Sequence, residues 1–156
     1  GGAILNEALK GQQILAGYNV AADVWSVTSY QELYRDGHAV ERWNRLHPGE
    51  KPRVPYVAQC LGDATGAIVA ASDYVKVLFD GIDQWLPRRL VALGTDGFGR
   101  SDSRAALRDF FEVDARFITV SALSELASDG SVPADLVQKA IKDLGINPEK
   151  PNPATS

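Results

Sequence analysis

The residues best suited to binding a ligand follow an apolar run at residues 90–93, which is typical of a strand buried on both faces. Glycines then allow a tight turn from Gly94 to Ser101, and polar residues at its end can cap a following helix. Free backbone amides at a helix start attract anions, and a nearby arginine adds positive charge. The pattern predicts an anion-binding site at Gly97, Gly99, Arg100 and Ser101. A strand-to-helix turn without a ligand explains the same residues.

This glycine-rich turn does not match the two common nucleotide-binding patterns. A dinucleotide fingerprint that uses Gly97 and Gly99 requires a third glycine, but the sequence has Asp102, whose carboxylate would face the pyrophosphate. A phosphate-binding loop requires a Gly-Lys-Ser/Thr sequence, which does not follow. We therefore predict neither class of nucleotide site.

Other catalytic and metal-binding patterns are incomplete. His38 and His47 are the only histidines, and neither has a second ligand at helical or hairpin spacing. Cys60 is the only cysteine, so an internal disulfide and a cysteine metal cluster are excluded. A thiamine diphosphate site needs Gly-Asp-Gly and a later Asn pair, and the nearest approaches are Thr95-Asp96-Gly97 and Gly62-Asp63-Ala64. We expect no catalytic, cofactor-binding or metal-binding residue in this chain.

Composition indicates one globular domain. The chain has 156 residues, of which 45% are hydrophobic and 23% charged. A formal net charge of -4 offers no basic surface for nucleic acid or for an anionic membrane. No apolar run approaches the length of about 18 residues that spans a bilayer, and the sequence does not open on a signal peptide. We therefore expect a cytoplasmic protein with neither nucleic acid nor a membrane as a partner.

Apolar spacing and capping residues predict alternating helices and strands. The predicted strands are residues 20–27, 67–71 and 90–93. The predicted helices follow Gly2, Ser29, residue 56, Ser72 or Asp73, Asp114 and Pro133. A strand is the alternative at residues 57–61 and 117–120. The helix after Ser72 or Asp73 is expected to run to Leu86 and end at Pro87, and the last helix is expected to close at Gly145. The helix after Ser29 begins with a capping box and is expected to break at Asp36-Gly37.

This alternation predicts an α/β fold with three layers, in which a mostly parallel sheet is flanked by helices. Two glycines lead at once into the first helix, as expected of a chain that starts just after a strand. We therefore expect the first strand of the sheet to be missing from this sequence.

Five sequence motifs follow one another in the order and spacing of one known family. The motifs are Asp23-Val-Trp-Ser-Val-Thr-Ser-Tyr-Gln-Glu-Leu33, Glu41-Arg-Trp-Asn-Arg-Leu-His-Pro48, Pro52-Arg-Val-Pro-Tyr-Val-Ala-Gln59, Ala71-Ser-Asp-Tyr-Val-Lys76 and Gly94-Thr-Asp-Gly-Phe-Gly-Arg-Ser-Asp-Ser-Arg104. They closely resemble the C-terminal domain of the homodimeric pyruvate dehydrogenase decarboxylating (first) component. The chain is more distantly similar to the transketolase C-terminal domain.

The resemblance implies a transketolase C-terminal-like domain at residues 1–147, truncated at its N-terminus, and a C-terminal tail at residues 148–156. It implies a parent enzyme that uses thiamine diphosphate and magnesium to decarboxylate pyruvate. That enzyme passes the two-carbon unit to the lipoyl group of a partner dihydrolipoyl acyltransferase. The cofactor-binding and catalytic residues of this family lie in the preceding domains, so none is carried onto this chain.

Our leading hypothesis is therefore a non-catalytic domain that braces the parent enzyme. Its partners would be the remaining domains of the parent, the homodimer partner and the acyltransferase. Candidate interface residues are Trp25, Tyr30, Tyr34 and Trp43, for which core packing is the alternative. A second hypothesis is an anion- or effector-binding module that uses the turn from Gly94 to Ser101. A third is a free-standing flavodoxin-like protein.

Overall fold

The computed structural model describes residues 2–72, 81–94 and 112–153. Those residues form five α-helices, two strands and a short 3-10 helix. The helices are α1 Gly2–Gly17, α2 Tyr30–Leu46, α3 Tyr56–Leu61, α4 Ala115–Ser128 and α5 Ala134–Asp143. The strands are β1 Ile68–Ser72 and β2 Leu90–Gly94, and the 3-10 helix spans Asp83–Trp85.

The two strands form a parallel pair. Ile68 lies opposite Leu90 at the start of the pair, and Ser72 lies opposite Gly94 at its end. Both strands were predicted to within one residue, because each is a short apolar run bounded by turn residues. The α/β class is confirmed. The larger sheet with helices on both faces stays a prediction, because the described residues form a sheet of two strands.

The core lies where α1, α4 and α5 pack together. Leu15, Leu123 and Ala140 meet at its centre, and the last two are 0% exposed. Helix α4 also contacts β1, so the helices cover the sheet on this side. Asp114 starts α4 by accepting hydrogen bonds from the amides of Arg116 and Phe117, which confirms the predicted cap.

The predicted strand at residues 20–27 is wrong, since these residues have no regular secondary structure. Within the described ranges, β1 and β2 pair only with each other, and an apolar segment becomes a strand only where another strand lies beside it. The segment's hydrogen bonds instead involve α1. The amide of Val20 donates to the carbonyl of Leu15, and the carbonyl of Ala22 accepts from the Gln12 side chain at 2.7 Å.

The predicted break at Asp36-Gly37 is also wrong, because α2 continues through both residues. Gly37 is the buried residue of that helix, and the Trp85 ring packs directly over its Cα. A glycine here makes room for a neighbouring side chain rather than ending a helix. The helix predicted up to Leu86 is wrong at its end, where a turn leads into the 3-10 helix. Its earlier part, residues 73–80, lies outside the described residues.

Candidate functional site

The predicted anion site at Gly97, Gly99, Arg100 and Ser101 lies outside the described residues. Of that turn the structure describes Gly94, which is buried at the end of β2. Because β1 and β2 are parallel, their carboxyl ends share one edge of the sheet, where α/β proteins commonly bind ligands. The anion site stays a prediction.

Metal-binding side chains do not gather in the part of the chain that the structure describes. There, no three His, Cys, Asp or Glu side chains come close enough to hold a metal ion. His38 and His47 lie on α2 and each contacts aromatic rings. These contacts give both histidines a packing role.

A shallow groove of about 360 Å³ lies between α4, α5 and the segment after α5. Its lining includes Phe117, Ile141 and Ile146, together with Val91 of β2. The Lys150 ammonium lies 5.5 Å from the centre of the Phe117 ring, within the range of a cation–π contact. The mixed lining suits packing of the C-terminal segment against the domain better than enclosure of a small molecule.

Helix α2, the loop after it and α3 form a unit that we call the α2–α3 arm, residues 30–61. The Ser29 hydroxyl accepts a hydrogen bond from the Glu32 amide at 3.2 Å, which confirms the predicted N-cap. Although α2 has 17 residues, Gly37 is the one that is buried. With one fully buried residue, α2 contributes little to the core, so contacts within the arm also help to hold it in place.

Polar contacts within the arm hold its loop against α2. The Asn44 side chain donates to the carbonyl of Arg53 at 3.0 Å and accepts from its amide at 2.8 Å. The Asp36 carboxylate accepts from the amide of Tyr56 at 2.7 Å and fixes the start of α3. These bonds satisfy loop and helix-end backbone groups that would otherwise need water.

A stack of planar side chains strengthens this loop. The His47 ring lies parallel to the Trp43 ring, with centroids 4.1 Å apart and an interplanar angle of 13°. The Arg53 guanidinium carbon lies 3.7 Å from the centre of the Trp43 ring, in cation–π geometry. Trp43, predicted as a candidate interface residue, is therefore used within the arm itself.

The arm meets the rest of the described chain through a second aromatic cluster. The ring centroids of Trp85 and His38 are 5.2 Å apart, and those of Trp85 and Tyr34 are 6.2 Å apart, both edge-on. Among the residues that the structure describes, the buried Trp85 indole N–H has no hydrogen-bond partner, so shape rather than polarity fixes this contact. Tyr34 in turn covers the Cα of Gly81.

Several large apolar side chains on and beside the arm are exposed. Trp25 and Tyr34, both candidate interface residues, are 57% and 46% exposed. Tyr30 is partly buried, and this burial raises the pKa of its hydroxyl. Sequence reasoning missed three further exposed residues of the arm, namely Leu46, Val54 and Tyr56, at 58%, 51% and 57%. The sequence signals that could have indicated this exposure are the helical spacing of Leu46 on α2 and the prolines near Val54 and Tyr56 in the loop.

A separate ion pair fastens the end of α4 to the loop before β2. The Arg88 guanidinium donates to the Asp129 carboxylate at 2.8 Å and to the carbonyl of Thr65 at 3.0 Å. The Ser131 hydroxyl donates to the other oxygen of Asp129 at 2.5 Å. Hydrogen bonds from Ser131, and then from Arg88, lower the pKa of the Asp129 carboxyl to about 2.

This lowered pKa predicts a loss of stability between about pH 4 and about pH 2. The folded-state pKa of about 2 lies below the ordinary value of 3.8, so the stabilisation is complete above that ordinary value and is lost as pH falls through the folded pKa. The urea midpoints of the wild type and Asp129→Asn should therefore converge across this window. Asp63→Asn, at an exposed turn position, is the control. A difference that does not change with pH would contradict the assignment.

Comparison with known proteins places the chain in a family. Residues 1–114 match the family described as the transketolase-like TK C-terminal domain. The chain is 51% identical to the pyruvate dehydrogenase E1 component of Pseudomonas aeruginosa, over 97% of this chain and 18% of that protein. It is 49% identical to the E1 component of Escherichia coli K12, over 97% of this chain and 17% of that protein.

A third E1 component, from Mycolicibacterium smegmatis, is 42% identical over 94% of this chain and 16% of its own length. The chain thus spans less than one fifth of the length of these relatives. Within the described ranges, no α-helix has both the length and the apolar character needed to cross a bilayer. The match over residues 1–114 shows that the chain belongs to the family of transketolase-like C-terminal domains.

Proposed function

We propose that this chain is the C-terminal structural and assembly domain of a thiamine-diphosphate-dependent pyruvate dehydrogenase. The observation that carries the proposal is the 51% identity to an E1 component across 97% of the chain. The parent enzyme would decarboxylate pyruvate in the cytoplasm and acetylate the lipoyl group of a partner dihydrolipoyl acyltransferase. The chain by itself would not be catalytic.

Thiamine diphosphate and magnesium would be bound elsewhere in the parent enzyme. Magnesium prefers carboxylate and carbonyl oxygens in octahedral geometry, and the described residues offer no acidic cluster of this kind. Because these residues do not fit the cofactor, we assign them no step of the reaction. Their role would be to support the remaining domains and the homodimer. In the parent enzyme, the mostly parallel sheet of the three-layer fold would be completed.

Replacing the matching region of the P. aeruginosa E1 component with this chain tests the proposal. We expect the chimera to decarboxylate pyruvate in a thiamine-diphosphate-dependent reaction at a rate within about tenfold of the relative, a barrier change of about 1.4 kcal/mol. The relative without the region serves as the control and should lose both activity and dimer assembly. A folded, dimeric chimera that lacks activity would contradict the proposal. Full activity of the relative without the region would contradict it as well.

A further inference from the structure

Part of the α2–α3 arm carries features of a protein-binding surface. We define the arm surface as residues 42–56, which cover the end of α2 and the loop to the first residue of α3. We propose that the arm surface docks against the larger remaining part of the parent polypeptide, on a surface that is apolar with an acidic border. The proposal rests on the proposed function, because it requires a parent enzyme.

The arm surface is held in one shape by its own contacts. Two hydrogen bonds join Asn44 to Arg53, and the Arg53 guanidinium lies over the Trp43 ring. Exposed loops without such contacts lose conformational freedom on binding, which weakens the complex. A loop that is already fixed avoids most of that cost, so the arm surface is organised for binding before a partner arrives.

Three of the seven large apolar residues that are exposed in the described part of the chain lie on the same segment. Leu46, Val54 and Tyr56 are each more than half exposed, whereas in the helices that form the core Leu9 is the one large exposed apolar residue described, at 41%. The bonds between Asn44 and Arg53 bring the two ends of the segment together. Apolar side chains grouped in this way indicate a surface that another protein covers, whereas single ones need no explanation.

Charge on the arm surface argues against a second copy of the same surface as the partner. Residues 42–56 contain four basic residues and one acidic residue, in a chain whose net charge is -4. The basic residues are Arg42, Arg45, Lys51 and Arg53, and all of them are exposed. In a two-fold contact the same residues meet themselves, so like charges would oppose each other. An acidic border on a different surface would instead be attracted.

The relatives are much longer than this chain, and their remaining part can supply that different surface. The chain corresponds to 18% of the P. aeruginosa E1 component, so more than four fifths of such a protein lies outside the matched region. A domain joined to its partner by the chain meets it at a high effective concentration, which favours contact within one polypeptide over contact with a separate protein. The larger part of the parent is therefore the occupant that we propose.

Hydrogen exchange of the chimera tests this proposal. We expect amides in residues 42–56 to exchange more slowly by about tenfold in the chimera than in the 156-residue chain alone, at every protein concentration. The double variant Leu46→Ser, Val54→Ser should remove that protection in the chimera. Leu9→Ser, which alters an exposed leucine on α1, is the matched control and should leave it unchanged.

Other occupants give different results. Protection that appears only as the chimera dimerises, or only after the acyltransferase is added, would overturn the proposal in favour of a separate partner. Equal exchange in the chain and in an active chimera would overturn the docking proposal alone. An inactive, dimeric chimera in which residues 42–56 are protected would overturn the proposed function and leave the docking surface intact, so the two failures are distinguishable.

Discussion

Replacing Leu123 with alanine is expected to lower the free energy of unfolding by about 2–5 kcal/mol. Leu123 is 0% exposed and meets Leu15 and Ala140 where three helices join. The substitution removes buried methyl groups and leaves a cavity that the surrounding helices cannot fully close. Urea unfolding of the 156-residue chain, followed by far-ultraviolet circular dichroism, measures the change.

Leu46→Ala is the matched control for this substitution. Leu46 is 58% exposed at the end of α2, so its truncation removes little buried surface. We expect a change of less than about 0.5 kcal/mol in the chain alone. Equal losses at Leu46 and Leu123 would contradict the placement of the core between α1, α4 and α5.

Replacing Gly37 with alanine is expected to destabilise the chain by about 1–3 kcal/mol. Glycine-to-alanine changes inside helices usually stabilise by up to about 1 kcal/mol, since alanine has the higher helix propensity. Here the added methyl group would collide with the Trp85 ring, which packs directly over Gly37. The ring would have to move, and the contact that joins the arm to the 3-10 helix would be lost.

Two further variants separate the clash from a general helix effect. Gly17→Ala, at the end of α1, adds a methyl group that meets no other described part of the chain within 4 Å, and it should be neutral or stabilising. In a Trp85→Leu background, Gly37→Ala should cost much less than in the wild type, because the smaller side chain relieves the collision. A stabilising Gly37→Ala in the wild type would show that the ring does not occupy this position.

The sequence predicted features that depend on neighbouring residues. The caps at Ser29 and Asp114 were predicted because a side-chain oxygen needs only the amides that follow it. The two strands were predicted because each is a short apolar run that is bounded by turn residues. Gly145, predicted to close the last helix, has a φ of +68°, which suits glycine at that position.

Features that depend on distant residues could not be predicted in this way. Gly37 next to Asp36 resembles a helix break in the sequence, because the Trp85 ring that packs against it comes from a distant part of the chain. Residues 20–27 have the composition of a strand, but Val20 and Ala22 form hydrogen bonds with α1 instead. The exposure of Val54 and Tyr56 follows from how the loop folds back on α2, which local sequence does not encode.

Titration calorimetry with thiamine diphosphate and Mg²⁺ tests most directly the claim that this domain supports a reaction centre located elsewhere. The cofactor is titrated into the 156-residue chain alone and into the chimera with the P. aeruginosa E1 component. We predict saturable binding to the chimera and no measurable binding to the chain alone. Tight, saturable binding to the chain alone would contradict the claim.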